Sequence, residues 1–185
     1  MSRIATPATI QDAPEASRPL LEAVKSQLGS VPNLFRLVGQ SPAGLEGYLG
    51  LNGALAKGTL APAIREQIAL AIANVNGCDY CNAAHTYLGL NIAKLSDDDI
   101  ALARQGRASD AKANAAVSFA RTVAVNRANV TDADVQAVKD AGFSEAEILE
   151  IVLHVALNTL TNYVNEVFGT VVDFPAVEKA SRVAA

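Results

Sequence analysis

Apolar residues recur along most of this chain at intervals of three and four positions, the spacing of an amphipathic α-helix. The segment PAIREQIALAIANVNG carries one such apolar stripe, made of Ile64, Ile68, Ala71, Ile72 and Val75. The strict alternation typical of strands is almost absent, and only TVVDF near the C-terminus indicates extended backbone. The pattern therefore predicts an all-α fold, a compact multi-helix bundle.

Prolines and glycines divide this pattern into separate helices, because proline is tolerated in a first helical turn and glycine favours a helix end. The predicted helices are Pro14 to Leu28, Pro32 to Gly39, Pro42 to Lys57, Pro62 to Val75, Asp79 to Leu90, Ser96 to Arg104, Ala111 to Asn126, Thr131 to Asp140 and Ser144 to Phe168. Three of the starts, SDDD, TDAD and SEAE, follow the capping-box pattern or its aspartate variant. We expect their acidic residues to serve as helix caps.

The chain has the size and composition of one compact domain, with 185 residues of which 50% are hydrophobic and 18% charged. We place a single helical domain at 14–185. The segment 1–13 is expected to be an arm that is mobile or packed on a neighbour.

Charge and hydropathy exclude several classes of partner. The net charge of -4 and the absence of clustered Lys and Arg argue against nucleic acid. No apolar run reaches the ~18 residues needed to cross a bilayer, and the N-terminus lacks the apolar core of a signal peptide. We therefore expect a cytoplasmic protein without a membrane partner. Thiols are kept reduced in that compartment, so closely spaced cysteines there are more often catalytic or metal-binding than structural.

Both cysteines and one of the two histidines lie in the window NGCDYCNAAHTYLG. Gly77 is predicted to end one helix, which places Cys78 in the turn and Cys81 in the first turn of the next helix. There the helix dipole favours a thiolate, and cysteines three apart are within reach of a reversible disulfide. His85 follows Cys81 by four residues, on the same helix face, where an imidazole can accept or return a proton.

Glu66 in the preceding helix is a candidate partner for His85. If the helices before and after Gly77 fold back on one another, Glu66 lies ~16 Å from the turn and His85 ~12 Å from it along the helix axes. The two side chains can then meet at a similar depth. A carboxylate beside an imidazole fixes its tautomer and raises its basicity.

These residues also have simpler interpretations. The cysteines could be two small buried hydrophobic residues, and Glu66 could be a solvated residue that the helix dipole favours. A zinc site needs four ligands, and after Cys78, Cys81 and His85 only the distant His154 remains, so we predict no metal. The last helix carries a polar face that is either a buried seam at a subunit contact or the back wall of a pocket. Its residues are Glu150, His154, Asn158, Asn162 and Asn165 or Glu166.

The motif itself, Glu66, eleven residues, then Cys78-x-x-Cys81-x-x-x-His85, resembles the signature of the alkylhydroperoxidase D-like branch of the carboxymuconolactone decarboxylase superfamily. The flanking segments VPNLFRLVGQSPAGLEGYLGL and LTNYVNEVFGTVVDFP are similar to the short, single-domain peroxidase-related members. The resemblance extends from residue 31 to residue 175 and implies an all-helical fold.

The resemblance implies a thiol-dependent hydroperoxide reductase that needs no cofactor. Cys81 would be the peroxidatic thiol, Cys78 the resolving thiol that also faces the reductant, and Glu66 with His85 the proton relay. The implied partners are a small-molecule hydroperoxide and a dithiol reductant of protein or lipoyl type. The chain departs from the family pattern at Tyr80, where the well-studied alkylhydroperoxidases carry a second histidine, and its motif lies in the N-terminal half. The superfamily's decarboxylases lack the cysteine pair, which argues against lactone decarboxylation.

Two other hypotheses stay open from the sequence. The chain could be a thiol-disulfide oxidoreductase or redox relay with little peroxidase activity, for which Tyr80 is an argument. It could also be a non-catalytic helical assembly protein with inert, buried cysteines. The long last helix and the resemblance both indicate a homo-oligomer, a dimer or a higher even assembly.

Overall fold

The computed structural model describes residues 2–180, and within them every regular element is helical. The helices are α1 (Arg18–Leu28), α2 (Asn33–Val38), α3 (Pro42–Leu55), α4 (Pro62–Asn76), α5 (Asp79–Asn91), α6 (Asp97–Arg104), α7 (Ala111–Val125), α8 (Asp132–Asp140) and α9 (Glu145–Phe168). The predicted all-α bundle is confirmed.

The predicted boundaries hold within a few residues, except at the start of the first helix. Short 3-10 turns at Ile10–Asp12 and Glu15–Ser17 precede α1, which begins at Arg18 rather than at Pro14. Pro19 lies in the first turn of α1, where its missing N–H costs no hydrogen bond, so it marks the start better than Pro14 does.

All three predicted capping boxes are present. In each, the hydroxyl of the capping residue accepts a hydrogen bond from the backbone N–H three residues later, and the acidic side chain at that position accepts one from the backbone N–H of the capping residue. The pairs are Ser96 with Asp99, Thr131 with Asp134 and Ser144 with Glu147. These interactions hold the acidic residues at helix starts and away from the cysteines.

Helix α4 lies at the centre and packs against α5, α6, α7 and α9. The main core forms where α4 meets α7, α8 and α9; among its fully buried residues are Ile68, Ile72, Ala116, Val117, Ala120 and Ile151. Hydrogen bonds fix the alignment of α4 and α9. Near their starts, the N–H of Leu60 donates to Glu150 over 3.2 Å, and near their ends Asn76 donates to Asn162 over 2.9 Å. The two helices therefore run in the same direction.

Both terminal segments pack on the bundle. In the segment predicted as an arm, the backbone N–H of Arg3 donates to the carbonyl of Phe168 over 2.6 Å, and Ile10 and Ala13 are buried. Residues 2–13 thus lie against their own chain.

The segment TVVDF has no strand partner among the described residues and runs as coil towards the start of α5. There Phe174 packs edge-on against Tyr80, with ring centroids 5.7 Å apart. No helix within residues 2–180 has the length and apolar character that crossing a membrane requires.

Candidate active site

The turn between α4 and α5 positions both cysteines. Gly77 adopts a left-handed conformation with φ of 67°, which ends α4 after Asn76, as its sequence position predicts. Cys78 follows as the N-cap of α5, and its Sγ accepts a hydrogen bond from the backbone N–H of Cys81 over 3.2 Å. Cys81 therefore lies in the first turn of α5, and both cysteines are in the reduced state.

The surroundings of Cys81 favour its thiolate. Burial alone raises the pKa of this thiol, but hydrogen bonds from Cys78 and from two asparagines, together with the charge of His85, lower the pKa to about 7. The first asparagine is Asn165 of α9, whose Nδ2 lies 3.2 Å from Sγ, and the second is Asn162. At neutral pH a large fraction of Cys81 is thus ionised.

Cys78 has the opposite character. Its hydrogen bond to the sulfur of Cys81 is the main reason that its pKa is raised, and burial raises it further. Its side chain has no solvent exposure, against 2% for Cys81. The structure therefore distinguishes the two thiols, because the surroundings of Cys81 favour a thiolate and those of Cys78 favour a protonated hydrogen-bond donor. The face of Cys78 that the resemblance assigns to the reductant is covered in this conformation.

Glu66 and His85 meet across the α4–α5 hairpin, where the sequence spacing places them. Oε2 of Glu66 lies 2.8 Å from Nδ1 of His85, and each side chain is about one-fifth exposed, at 22% and 21%. Burial alone lowers the pKa of His85, but the charge and hydrogen bond of Glu66 and the nearby sulfur of Cys81 outweigh it and raise the pKa. His85 is therefore suited to hold a proton beside the thiolate.

A cavity of about 240 Å³ opens beside Cys81. Cys81, Glu66 and His85 all line it, whereas Cys78 does not. The part of the lining that packs with Cys81 is apolar or aromatic and contains Leu34, Tyr48, Tyr80 and Ala84, and Ala69 and Leu157 also line the cavity. The other polar residues of the lining, called the polar wall below, are Asn52, Arg65, His154, Asn158 and Thr161. A small organic molecule in the cavity can thus reach one sulfur only.

The polar face of α9 forms the back wall of this site. Asn165 binds the sulfur of Cys81, Asn162 accepts from Asn76, and His154 and Asn158 line the cavity. The sequence predicts that these residues share one helix face. It does not predict their contact with Cys81, which depends on how α9 packs across α4 and α5.

Tyr80, at the position of the family's second histidine, is engaged elsewhere. Its hydroxyl donates to Asp173 over 2.9 Å and accepts from the N–H of Leu34 over 3.1 Å. Burial is the main reason that its pKa is raised. Its ring lines the cavity, but its proton is committed to a carboxylate, so Tyr80 does not replace a histidine in a relay to Cys81.

Two further cavity residues, Tyr48 and Arg65, were not identified from the sequence. Burial, together with the negative charges of Cys81 and Glu66, raises the pKa of Tyr48, so its hydroxyl stays protonated. Neither residue lies near the cysteines in the chain, and no sequence motif marks them.

The residues that the structure describes contain no cluster of three or more His, Cys, Asp or Glu side chains arranged to hold a metal ion. The site is thus built from a dithiol and a carboxylate–imidazole pair at the wall of a small cavity.

Residues 42–125 match the family model of the Carboxymuconolactone decarboxylase family. The fold is similar to the alkylhydroperoxidase AhpD core of a peroxidase-related protein from Ralstonia eutropha JMP134, with a TM-score of 0.83 and 24% identity over 93% of this chain and 92% of that one. A peroxidase-related protein from Silicibacter sp. TM1040 has a TM-score of 0.80 and 20% identity over 92% and 91% of the two chains.

The fold is also similar to that of a debrominase. A cysteine-to-alanine variant of Bmp8 in complex with 2,3,4-tribromopyrrole has a TM-score of 0.78 and 20% identity, and the match covers 94% of each chain. No curated protein sequence matches the chain.

The family match and the shared fold confirm the resemblance on which the sequence prediction rests. Residues 42–125 match the Carboxymuconolactone decarboxylase family, and the all-helical fold is similar to that of alkylhydroperoxidase D-like, peroxidase-related proteins. The proteins that share this fold include peroxidase-related proteins and a debrominase, so the fold alone does not select a reaction.

Proposed function

We propose that this protein is a thiol-dependent peroxidase that reduces small organic hydroperoxides. The observation that carries the proposal is the placement of Cys81, whose sulfur has a pKa of about 7 and is the only one of the two that borders the cavity. An ionised, accessible thiol beside a proton-holding imidazole is what peroxide reduction requires.

In the first step, the thiolate of Cys81 attacks the terminal oxygen of the hydroperoxide and the O–O bond breaks. Cys81 becomes a sulfenic acid and the substrate leaves as an alcohol. The leaving alkoxide needs a proton, which His85 supplies while Glu66, 2.8 Å from its Nδ1, stabilises the ring. The proton that Cys81 lost on ionisation is thus returned to the product.

In the second step, Cys78 attacks the sulfur of the sulfenic acid, which forms a disulfide and releases water. Cys78 is adjacent, because its Sγ already accepts from the N–H of Cys81. A dithiol reductant reopens the disulfide by exchange. Since Cys78 is covered and Cys81 borders the cavity, a small dithiol of the lipoyl type reaches Cys81 directly, whereas a protein dithiol requires the covering segments to move.

The proposal is tested by counting free thiols in the reduced protein before and after one equivalent of tert-butyl hydroperoxide. We expect both thiols to be lost, with no peroxide consumption by Cys81→Ser. The Cys78→Ser protein should turn over once and stop at the sulfenic acid, which dimedone traps. Undiminished peroxide consumption by Cys81→Ser would refute the assignment of the nucleophile.

A second candidate function is reductive debromination, which the fold shared with Bmp8 favours. Replacing a C–Br bond by C–H takes up two electrons and a proton, and oxidation of the Cys78–Cys81 dithiol to the disulfide supplies both electrons. Incubation of the reduced protein with 2,3,4-tribromopyrrole separates the two functions. Stoichiometric release of bromide with loss of both thiols, and no reaction with hydroperoxide, would favour debromination.

The remaining alternatives predict different thiol chemistry. A redox relay would form the disulfide rapidly from a disulfide donor and slowly from hydroperoxides, yet neither sulfur is more than 2% exposed to a protein partner. A non-catalytic assembly protein would carry inert thiols, which is at odds with the lowered pKa of Cys81.

A further inference from the structure

The end of the cavity away from Cys81 contains an imidazole without a partner. His154 lines the cavity, is only 6% exposed, and has a buried Nε2 atom with no hydrogen-bond partner among the described residues. A buried polar atom of this kind costs folding free energy unless a bound molecule satisfies it. Burial is the main reason that the pKa of His154 is lowered, so the ring is neutral and can donate one hydrogen bond.

Arg65 lies beside His154 and carries an unneutralised charge. Its positive charge is one of the causes that lower the pKa of His154, and both residues line the cavity. Arg65 uses one N–H to bind the carbonyl of Leu55 over 3.3 Å. It makes no ion pair within residues 2–180, although a guanidinium has five donors.

The two nearby carboxylates are already satisfied. Glu66 pairs with His85 at 2.8 Å. Glu150 accepts from the backbone N–H groups of Thr59 and Leu60 at 2.9 and 3.2 Å and from the Thr59 hydroxyl at 3.4 Å. Neither carboxylate is bound to Arg65, which leaves the guanidinium and the His154 imidazole together at the polar wall.

We infer that Arg65 and His154 form a subsite for the carboxylate of the substrate, whose apolar body lies against the wall near Cys81. This inference rests on the proposed function and narrows it to small hydroperoxides that carry a carboxylate. A carboxylate accepts two hydrogen bonds from the guanidinium of Arg65 and one from the N–H of a neutral imidazole. It therefore satisfies both Arg65 and His154 at once. The cavity volume of about 240 Å³ corresponds to about eight water molecules, which fits a compact aromatic or branched acid.

The first experiment compares cumene hydroperoxide bearing a para-carboxylate with the same molecule bearing a para-carboxamide. We expect the carboxylate to have a kcat/KM about ten-fold higher or more, because hydrogen bonds to charged groups are the stronger ones. Arg65→Met should bring the ratio of the two kcat/KM values close to one, and Arg65→Lys should restore part of the preference for the carboxylate. Arg107→Met is the matched control, because Arg107 is exposed and does not line the cavity; it should leave the ratio unchanged.

The second experiment measures binding without chemistry, by calorimetric titration of benzoate and benzamide into the Cys81→Ser protein. Benzoate should bind at least about ten-fold more tightly, and Arg65→Met or His154→Phe in the same background should remove the difference. Equal binding of the two probes would overturn the subsite even if hydroperoxides are reduced. If benzoate binding to Cys81→Ser depends on Arg65 but the parent protein, with both cysteines, reduces no hydroperoxide, the subsite stands and the peroxidase proposal is refuted.

Discussion

Two cysteines in one turn of the chain differ in protonation because their neighbours differ. Cys81 receives hydrogen bonds from Cys78 and Asn165 and lies near the charge of His85, whereas Cys78 keeps its proton and donates a hydrogen bond to Cys81. Burial penalises the thiolate at both positions. The direct contacts of Cys81 outweigh that penalty and those of Cys78 do not, so reactivity is decided by individual donor atoms.

Replacement of Asn165 tests this view. Asn165→Ala removes the Nδ2 donor 3.2 Å from the Cys81 sulfur, so the thiolate loses a hydrogen bond while its burial stays similar. The rate of alkylation by iodoacetamide follows the thiolate fraction: in the parent protein it should rise with pH, reach half its maximum at about 7 and level off above that. In Asn165→Ala we expect the pH midpoint of alkylation to move up to about 8. A hydrogen bond to a charged group contributes ~1.5 kcal/mol, and its loss raises the pKa of the thiol by about one unit.

The exposed Asn129 supplies the control for this measurement. Asn129→Ala should leave the midpoint at the parental value. A midpoint that also stays at the parental value in Asn165→Ala would mean that the carboxamide does not stabilise the thiolate.

At the scale of helices, the site needs three elements that meet at one place. The α4–α5 hairpin brings Glu66, His85 and the cysteines together, and α9 closes the site from behind. Because α4 and α9 run in the same direction, the asparagines near the end of α9 reach the cysteine turn, while His154 lies level with the start of α4.

This arrangement explains which parts of the site the sequence could predict. The contact between Glu66 and His85 follows from counting residues on either side of Gly77, because a hairpin of two helices has local geometry. The helix starts follow from local hydroxyl and acidic residues in the same way. By contrast, the contact of Asn165 with Cys81, the proximity of Arg65 to His154 and the presence of Tyr48 in the cavity join residues far apart in the chain. These contacts depend on the packing of whole helices, which no local pattern encodes.

The left-handed glycine between α4 and α5 gives a test at this scale. A side chain at the φ of 67° of Gly77 is strained, so Gly77→Ala should lower the free energy of unfolding by about 1–2 kcal/mol. Because the substitution also perturbs the turn that holds Cys78 and Cys81, we expect the alkylation rate of Cys81 at neutral pH to fall as well.

Gly29 provides the comparison, since it has a similar φ of 76° at the end of α1 and an added Cβ there meets no atom within 4 Å. Gly29→Ala should reduce stability to a similar extent in urea unfolding and leave the alkylation rate unchanged. Equal effects of the two substitutions on the alkylation rate would show that the turn does not control the thiol.

At the scale of the whole molecule, α9 has a second role beside the wall of the cavity. Its outward side carries an apolar stripe with alternating spacings of four and three residues, made of Leu149, Leu153, Ala156, Leu160, Tyr163 and Val167. All of these except the partly buried Leu153 are exposed. Spacing of this kind is the heptad pattern by which helices pack against one another as knobs into holes. The stripe is about 27 Å long, enough to form the centre of an interface of standard size.

We propose that this stripe pairs with the same stripe of a second copy, so that the protein is a homodimer with α9 against α9 across a two-fold axis. Light scattering should give twice the chain mass of 19.2 kDa. Leu160→Glu places a charge at the middle of the stripe and should yield monomers. Ile92→Glu is the matched control, because Ile92 is exposed at the end of α5 and outside the stripe.

Since His154, Asn162 and Asn165 lie on the opposite, buried side of α9, dissociation should also loosen the wall behind Cys81 and raise the pH midpoint of its alkylation. A monomeric parent protein would refute the interface, and a dimer that survives Leu160→Glu would place the contact on another face.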